Sequence, residues 1–340
     1  IPAQARALRA LGCEAVVITG GDAALLQRHE GLSLDWLDTP QASGWLSLPR
    51  EHTPHNHGTG CTFASALAAA LALGWVTADA AVLAKMAATF ALRHARAVGR
   101  GIGPVVARPG FATEPSLLPQ LSLDAQAPTH WHTRARGREP GVYAIVESAE
   151  RVEAVLRASH QAATVDTIQL RMKRPEGLDD AAWETALRDG IARSQRAADA
   201  AGVLLVINDH WQAALTAGAR ALHLGQDDLL ALTPPDRARL DAARAQGLQL
   251  GISSHSLWEL CRAAGQQPDL IACGPVIGGI LEPAQLQAVA VAGAAGGCVV
   301  RGLGDEPSTT LPAWLDAWRQ GSATKPIGAA PNLPHPTLPS

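Results

Sequence analysis

Leu204–Asp228 reads LLVINDHWQAALTAGARALHLGQDD. Two short apolar runs, LLVI and ALHL, each close in polar, acidic or glycine residues, and the connector between them is long enough for a helix. Two neighbouring parallel strands need such a crossover. The same figure recurs outward in both directions, as QLRMK (Gln169–Lys173) before it and GISSHS (Gly251–Ser256) and IGGI (Ile277–Ile280) after it. A parallel α/β barrel displays its chemistry in this way, because its catalytic groups sit where strands end and loops begin. From Gly141 the strand candidates are GVYAIV, TIQLRMK, LLVIND, ALHLGQ, LQLGISS, LIACGPV, IGGI and GGCVVRG. Eight strands with intervening helices mean a closed (β/α)8 barrel. One junction departs from that pattern: Val276 runs straight into Ile277, so either two strands merge or a connector helix between the sixth and seventh strands is missing.

Residues 1 to 108 read as alternating strand and helix. AVVITGG (Ala15–Gly21) is a buried strand ending in glycines, and GWLSLPREHT (Gly44–Thr53) a weaker one. GTGCTFASALAAALALG (Gly58–Gly74) is a glycine turn opening a helix, and Ala78–Gly99 is a second helix. The chain opens on Ile1 within a helical pattern, as though an upstream part were absent. Residues 109–140 lose periodicity and gain Pro, Ser and Arg, the composition of an interdomain linker. The barrel then spans residues 141–320. The proline-rich residues 321–340 lack a core-forming run and are expected to be disordered.

The charge balance, a net −3 over 340 residues, offers no basic stripe, and one Tyr with three Phe leaves few stacking platforms for nucleic acid. Five dispersed cysteines argue against a disulfide framework and for a reducing, cytoplasmic setting. No apolar run is long enough to cross a bilayer. A homo-oligomer is left open.

Two constellations carry chemistry. In HNHGTGC (His55–Cys61) a glycine turn runs into a helix, whose unpaired N–H groups and dipole suit phosphate or developing negative charge. Cys61, on the first turn, is where a thiol pKa should fall. On the barrel, Gln169, Arg171 and Lys173 alternate along a strand and so face one side, two cations and an amide suited to a diphosphate. Lysine occurs only at Lys85, Lys173 and Lys325, which suggests that position 173 needs a compact ammonium. Asn208 and Asp209 end one strand and Asp228 follows the next, a carboxylate pair of the kind that holds Mg²⁺. Ser253 can donate to the same phosphates. Gly278 and Gly279, with Val300 and Arg301, resemble the phosphate-binding glycines placed after a barrel's last two strands. Taken singly, a strand-end aspartate is more often a turn or helix cap than a metal ligand. His223 and His255 read as hydrogen-bonded residues rather than metal ligands.

VVITGG, PREHTPHNHGTGCTFASALAAALALG and GRGIGP (Gly99–Pro104) together resemble the C-terminal half of the hydroxymethylpyrimidine/phosphomethylpyrimidine kinases, of the ribokinase-like fold. That resemblance implies that Gly58 and Gly60 cradle a phosphoryl group beside a catalytic Cys61. The N-terminal half of such a kinase is not in this sequence, so kinase activity from residues 1–108 alone is not expected. QLRMK, IND, HLGQDD, GISSHS, GPV and IGGI, in that order, resemble thiamine-phosphate synthase. The family joins hydroxymethylpyrimidine diphosphate to thiazole phosphate and releases pyrophosphate. The resemblance implies that Gln169, Arg171, Lys173, Asn208 and Ser253 hold the diphosphate, with Lys173 and Ser253 catalytic. It further implies Mg²⁺ on Asp209 and Asp228, and the thiazole phosphate at Gly279, Val300 and Arg301. The Thr-rich loop that follows GPV in the family, and the lysine ending it, are absent. Two other readings stay open: a thiazole tautomerase with His255 shuttling a proton, and a non-catalytic module that binds an intermediate. The two halves are paired in sense, since one family makes the diphosphate that the other consumes.

Overall fold

The computed structural model describes residues 1–21, 31–132, 139–162, 165–274 and 280–324. They divide into two compact units, one of Ile1–Arg134 with Ser254–Gln267, the other of Ala135–Ser253 and the residues from Pro268 onward.

In the first unit, β1 (Val16–Thr19), β2 (Leu32–Asp38), β3 (Ser43–Pro49) and β4 (Gln120–Leu121) form a sheet in that spatial order. Every pairing is antiparallel, with Trp36 opposite Trp45. This corrects the expected strand-helix alternation. β2 is absent from that expectation, although Leu32, Leu34 and Trp36 alternate with Ser33 and Asp35 in the period-two pattern of a half-buried strand. Those polar groups are satisfied by Lys85, which is 1% exposed. Its Nζ donates to Asp35 Oδ2 at 2.7 Å, Ser33 O at 3.1 Å and Ser33 Oγ at 3.2 Å. Lys85 lies on the helix Thr77–Arg93, which is buried nearly all round and packs with the helix Thr59–Ala72 over that face. The other face, with Leu32, Leu34, Trp36 and Trp45, is covered around Ala5 of the helix Pro2–Ala10.

The stretch read as a linker is part of this core. Leu117 and Leu121 are fully buried, and β4 pairs with β3. The core also takes in the later helix Leu257–Gly265, whose Leu257 and Cys261 pack with Leu83 and Leu117. Asp79, in the first turn of Thr77–Arg93, accepts the Trp258 N–H at 2.9 Å and so supplies an N-terminal cap to that helix.

The second unit is a parallel sheet of β5 (Gly141–Val146), β6 (Thr167–Leu170), β7 (Leu204–Asn208), β8 (Ala221–Leu224), β9 (Gln249–Ser254), β10 (Leu270–Cys273) and β11 (Gly296–Val299). Their spatial order is β10-β9-β8-β7-β6-β5-β11. Leu270 of β10 and Cys298 of β11, from opposite ends of that order, both pack on a cluster of Tyr143, Val206 and Ala221. The sheet is therefore curled, in the manner of an α/β barrel. The strands number seven among the described residues rather than the eight expected. Residues 277–279 of IGGI and the Val276–Ile277 junction lie outside the described residues, and Ile280 makes an isolated parallel bridge to Val299. The last helix, Pro307–Ala323, runs past the expected domain end at 320, because Trp314 and Leu315 anchor it. Residues 325–340 lie outside the described part.

Candidate diphosphate and metal site

The second unit gathers its polar groups at the C-terminal ends of β6 to β9. β7 ends at Asn208, and the turn that follows is tight: Asp209 has φ 63°, His210 N–H donates to Asn208 O at 2.7 Å and Trp211 N–H to Asp209 O at 2.8 Å. A positive φ is uncommon outside glycine, though less costly for aspartate. Asp209 N–H donates to His223 O on β8 at 2.9 Å, which ties the turn to the neighbouring strand. Asp228 stands on the first turn of the helix Gln226–Ala231, and its Oδ2 accepts the Gly225 N–H at 2.9 Å. Asp228 thus serves as a cap of that helix. Burial, together with the neighbouring Asp228 carboxylate, raises the Asp209 carboxyl pKa above its usual range. The Arg171 guanidinium and His210 pull it the other way. Two carboxyls held this close retain a proton or take up a cation, because like charges at such range cannot both stay ionised unscreened.

Gln169 is buried beneath this turn. Tyr143 OH donates to Gln169 Oε1 at 2.8 Å, and Gln169 Nε2 donates to Asn208 Oδ1 at 2.7 Å. This chain fixes which way the Asn208 amide points, with its NH₂ left to donate. Gln169 is only 3% exposed, and its side-chain amide is taken up by Tyr143 and Asn208. Arg171 and Lys173 do not share its strand: β6 stops at Leu170, and both cations are exposed in the loop beyond. The expected alternation along one strand is corrected to a loop in which Met172 is tucked in and its two neighbours point out. Lys173 has no ion-pair partner among the described residues.

On β9, Ser253 Oγ lies 2.8 Å from His223 Nε2, and its carbonyl accepts from Gln226 Nε2 at 2.7 Å. Burial pushes the His223 pKa down to about 4, so the ring is neutral at pH 7. Its Nδ1 is buried with no hydrogen-bond partner among the described residues. A Cβ on residue 251 would come 2.4 Å from that atom, and Gly251 is thus what lets the ring lie against β9. His223 is a hydrogen-bonded sheet residue, as its sequence context suggested, and its partner is Ser253. His255 is exposed and engaged by Glu259. At the end of β11, Val300 is 42% exposed and Arg301 opens a short turn, Arg301–Leu303, pinned where Trp314 Nε1 donates to Gly302 O at 2.9 Å. Gly279 lies outside the described residues.

Among the described residues no group of three or more His, Cys, Asp or Glu converges as a metal cage. A lone carboxylate pair suits Mg²⁺, which keeps several waters and takes its remaining ligands from substrate phosphates. A cavity of about 160 Å³ lies at the other ends of the strands, bordered by Tyr143, Thr167, Leu204 and Gln249, away from these groups.

In the first unit the two glycine motifs meet. His57 N–H donates to Gly103 O at 3.2 Å and Val105 N–H to His57 O at 3.0 Å. Gly103 N–H donates to His55 Nδ1 at 3.0 Å. Gly103 has no room for a side chain, since a Cβ would lie 2.0 Å from Arg96 O. Gly58, at φ 88°, turns the chain into the helix Thr59–Ala72, and Cys61 is exposed on its first turn. A groove of about 480 Å³ runs from Gly60 past Phe63 and Leu67 to Val17 and Thr19.

Sequence reasoning missed Tyr143, His210 and the Lys85–Asp35 pair. The rarity of lysine was a usable signal, and it points as strongly to the buried Lys85 as to Lys173.

A curled parallel sheet with carboxylates, an amide, a hydroxyl and two cations near its strand ends defines the second unit as an α/β domain. Residues 1–106 match the family described as phosphomethylpyrimidine kinase, and residues 142–293 the family described as thiamine monophosphate synthase. A thiamine-phosphate synthase of Neisseria meningitidis serogroup A is 40% identical over 134 residues, 39% of this chain and 57% of the relative. A hydroxymethylpyrimidine/phosphomethylpyrimidine kinase of Synechococcus elongatus is 46% identical over 101 residues, 30% of this chain and 37% of that protein. Among solved structures, a thiamine phosphate pyrophosphorylase of Pyrococcus furiosus aligns with 54% of this chain and 98% of its own, at 18% identity and a TM-score of 0.44. The chain joins a segment that matches the phosphomethylpyrimidine kinase family to one that matches the thiamine monophosphate synthase family, and it spans little more than half the length of the synthase relatives it matches.

Proposed function

We propose that the second unit is a thiamine-phosphate synthase, joining hydroxymethylpyrimidine diphosphate to thiazole phosphate. The bond that breaks is the C–O bond between the pyrimidine methylene and the diphosphate. The bond that forms links that methylene carbon to the thiazole nitrogen, and pyrophosphate leaves with the C–O electron pair. An electron-rich aminopyrimidine stabilises the cation formed on departure, so the protein needs no strong base or covalent nucleophile. It needs fixed positive charge on the leaving group and a pocket that keeps water from the cation.

Arg171 and Lys173 neutralise the diphosphate, Ser253 Oγ and the Asn208 amide donate to it, and neutral His223 holds the Ser253 hydroxyl in place. Asp209 and Asp228 hold Mg²⁺, which when bound stabilises charge on the departing pyrophosphate. Arg301 and the backbone at Val300 receive the thiazole phosphate. The observation that carries this reading is the pairing of Asp209 with Asp228 beside Arg171, in which burial and the Asp228 charge raise the Asp209 carboxyl pKa. In the first unit, Gly58 and Gly60 form an anion-binding turn beside Cys61. All five cysteines are free thiols, in keeping with a reducing compartment. No helix among the described residues is long and apolar enough to cross a membrane.

The test is product formation. Both substrates with Mg²⁺ should yield thiamine phosphate, and chelation with EDTA should stop it. A folded chain that forms no product under these conditions refutes the proposal.

A further inference from the structure

Between the carboxylate turn and the loop carrying Arg171 and Lys173 lies one hydrogen bond. His210 Nε2 is 3.1 Å from the Met172 carbonyl oxygen. A carbonyl can only accept, so Nε2 carries a proton. The ring is held from the other side by Trp183, edge-on at 5.6 Å between centroids and 68° between planes. His210 immediately follows Asp209, and the short bonds from His210 N–H to Asn208 O and from Trp211 N–H to Asp209 O leave the turn little freedom. One rigid turn therefore sets both the carboxylate and the imidazole.

The loop is fastened around its cations at further points. Arg171 N–H donates to Val146 O at 2.7 Å. The Met172 side chain fills a notch on the helix Asp180–Ala201 that exists because residue 190 is glycine: a Cβ there would come 2.7 Å from Met172 Sδ. Beyond Lys173, Arg174 Nε donates to Leu178 O at 2.9 Å and its Nη1 reaches Asp180 Oδ1 at 2.6 Å. Lys173 thus projects from a loop pinned on either side of it, with its own ammonium unengaged among the described residues. A flexible lysine aimed at a phosphate loses affinity to side-chain and loop ordering, and a pre-ordered loop spares that loss.

We propose that His210 is a positioning residue for pyrophosphate capture. Through the Met172 carbonyl it locks the Arg171–Lys173 loop in register with the Asp209 turn, so that the two cations and the carboxylate pair act on one Mg²⁺-pyrophosphate group. This inference rests on the synthase reading of the second unit.

The experiment is calorimetric titration of the full chain with Mg²⁺-pyrophosphate, together with KM and kcat for the diphosphate substrate and a thermal melt. In His210→Phe the ring and its packing on Trp183 stay while the donor goes. Affinity for pyrophosphate should fall about tenfold, the value of one well-placed hydrogen bond. KM should rise by a similar factor, with kcat changing less and the melting temperature nearly unchanged. His210→Gln, which restores an N–H of similar reach, should recover most of the affinity. Wild-type affinity and KM in His210→Phe would overturn the anchor, as would a loss that His210→Gln fails to repair. Lys173→Ala separates the two levels of the argument. If it weakens pyrophosphate binding and His210→Phe does not, the site stands and the anchor falls. If the wild type and Lys173→Ala bind pyrophosphate alike, the site reading falls and the anchor with it.

Discussion

Replacing Asp79 by Asn should remove the pH dependence that this one carboxyl imposes on the first unit. Asp79 is 4% exposed, and burial raises its pKa from the usual 3.8 to about 6, with the Trp258 and Leu257 N–H groups pulling it down and Glu259 adding to the rise. A folded pKa above the unfolded one means that the native state holds the proton more tightly. The stabilisation is fully present below pH 3.8 and is lost as pH rises through about 6. At about 1.4 kcal/mol per pKa unit, the ionised carboxylate costs the native state roughly 2–3 kcal/mol near neutrality, and partial access of water reduces the figure toward 2. Asparagine keeps an oxygen to accept the Trp258 N–H but has no charge to bury. Urea unfolding of wild type and Asp79→Asn at pH 4.5 and pH 8 isolates the effect, because the other titrating groups are common to both. The variant should gain about 2 kcal/mol on the wild type between the two pH values. A difference that stays constant with pH, or that favours wild type more at pH 8, would refute the reasoning.

Other expectations follow from the same geometry. Lys85→Met leaves Asp35 buried with the Gly20 N–H as its remaining partner, and should cost about 3–5 kcal/mol in urea unfolding, with much of it regained in Lys85→Met/Asp35→Leu. Gly251→Ala drives a methyl against His223 Nδ1 and turns the ring off Ser253; kcat for the synthase reaction should drop about tenfold or more while the fold survives. Gly103→Ala cannot keep its contact with Arg96 O, so the His57 and Val105 amides should lose hydrogen-exchange protection while the β2–β3 ladder keeps it.

The parallel sheet was legible because each of its strands is short, apolar and closed by a polar cluster, and Asn208, Asp209, Asp228 and Ser253 stand where that pattern put them. The antiparallel sheet was legible only in part: LSLDW alternates as a strand does, but Asp35 is buried against a lysine some fifty residues away, a contact no local pattern records. β4 hid in a proline-rich stretch for the same reason: Leu117 and Leu121 are buried by tertiary packing with no periodic run around them. The cations of QLRMK were placed on the wrong element, since strand alternation was extended past Leu170, where the backbone leaves the sheet. His210 looked like any residue after an IND turn, and its role depends on a carbonyl that the sequence cannot position.

If the carboxylate pair and the Lys173 loop together manage a leaving diphosphate, the decisive assay is pyrophosphate release from hydroxymethylpyrimidine diphosphate and thiazole phosphate with Mg²⁺, in wild type, Lys173→Ala and Asp209→Ala. The account expects turnover in wild type and a fall of about a hundredfold or more in each variant, the scale of losing one electrostatic stabiliser of a transition state. Release at equal rates in all three, or none from a folded wild-type chain, would contradict it.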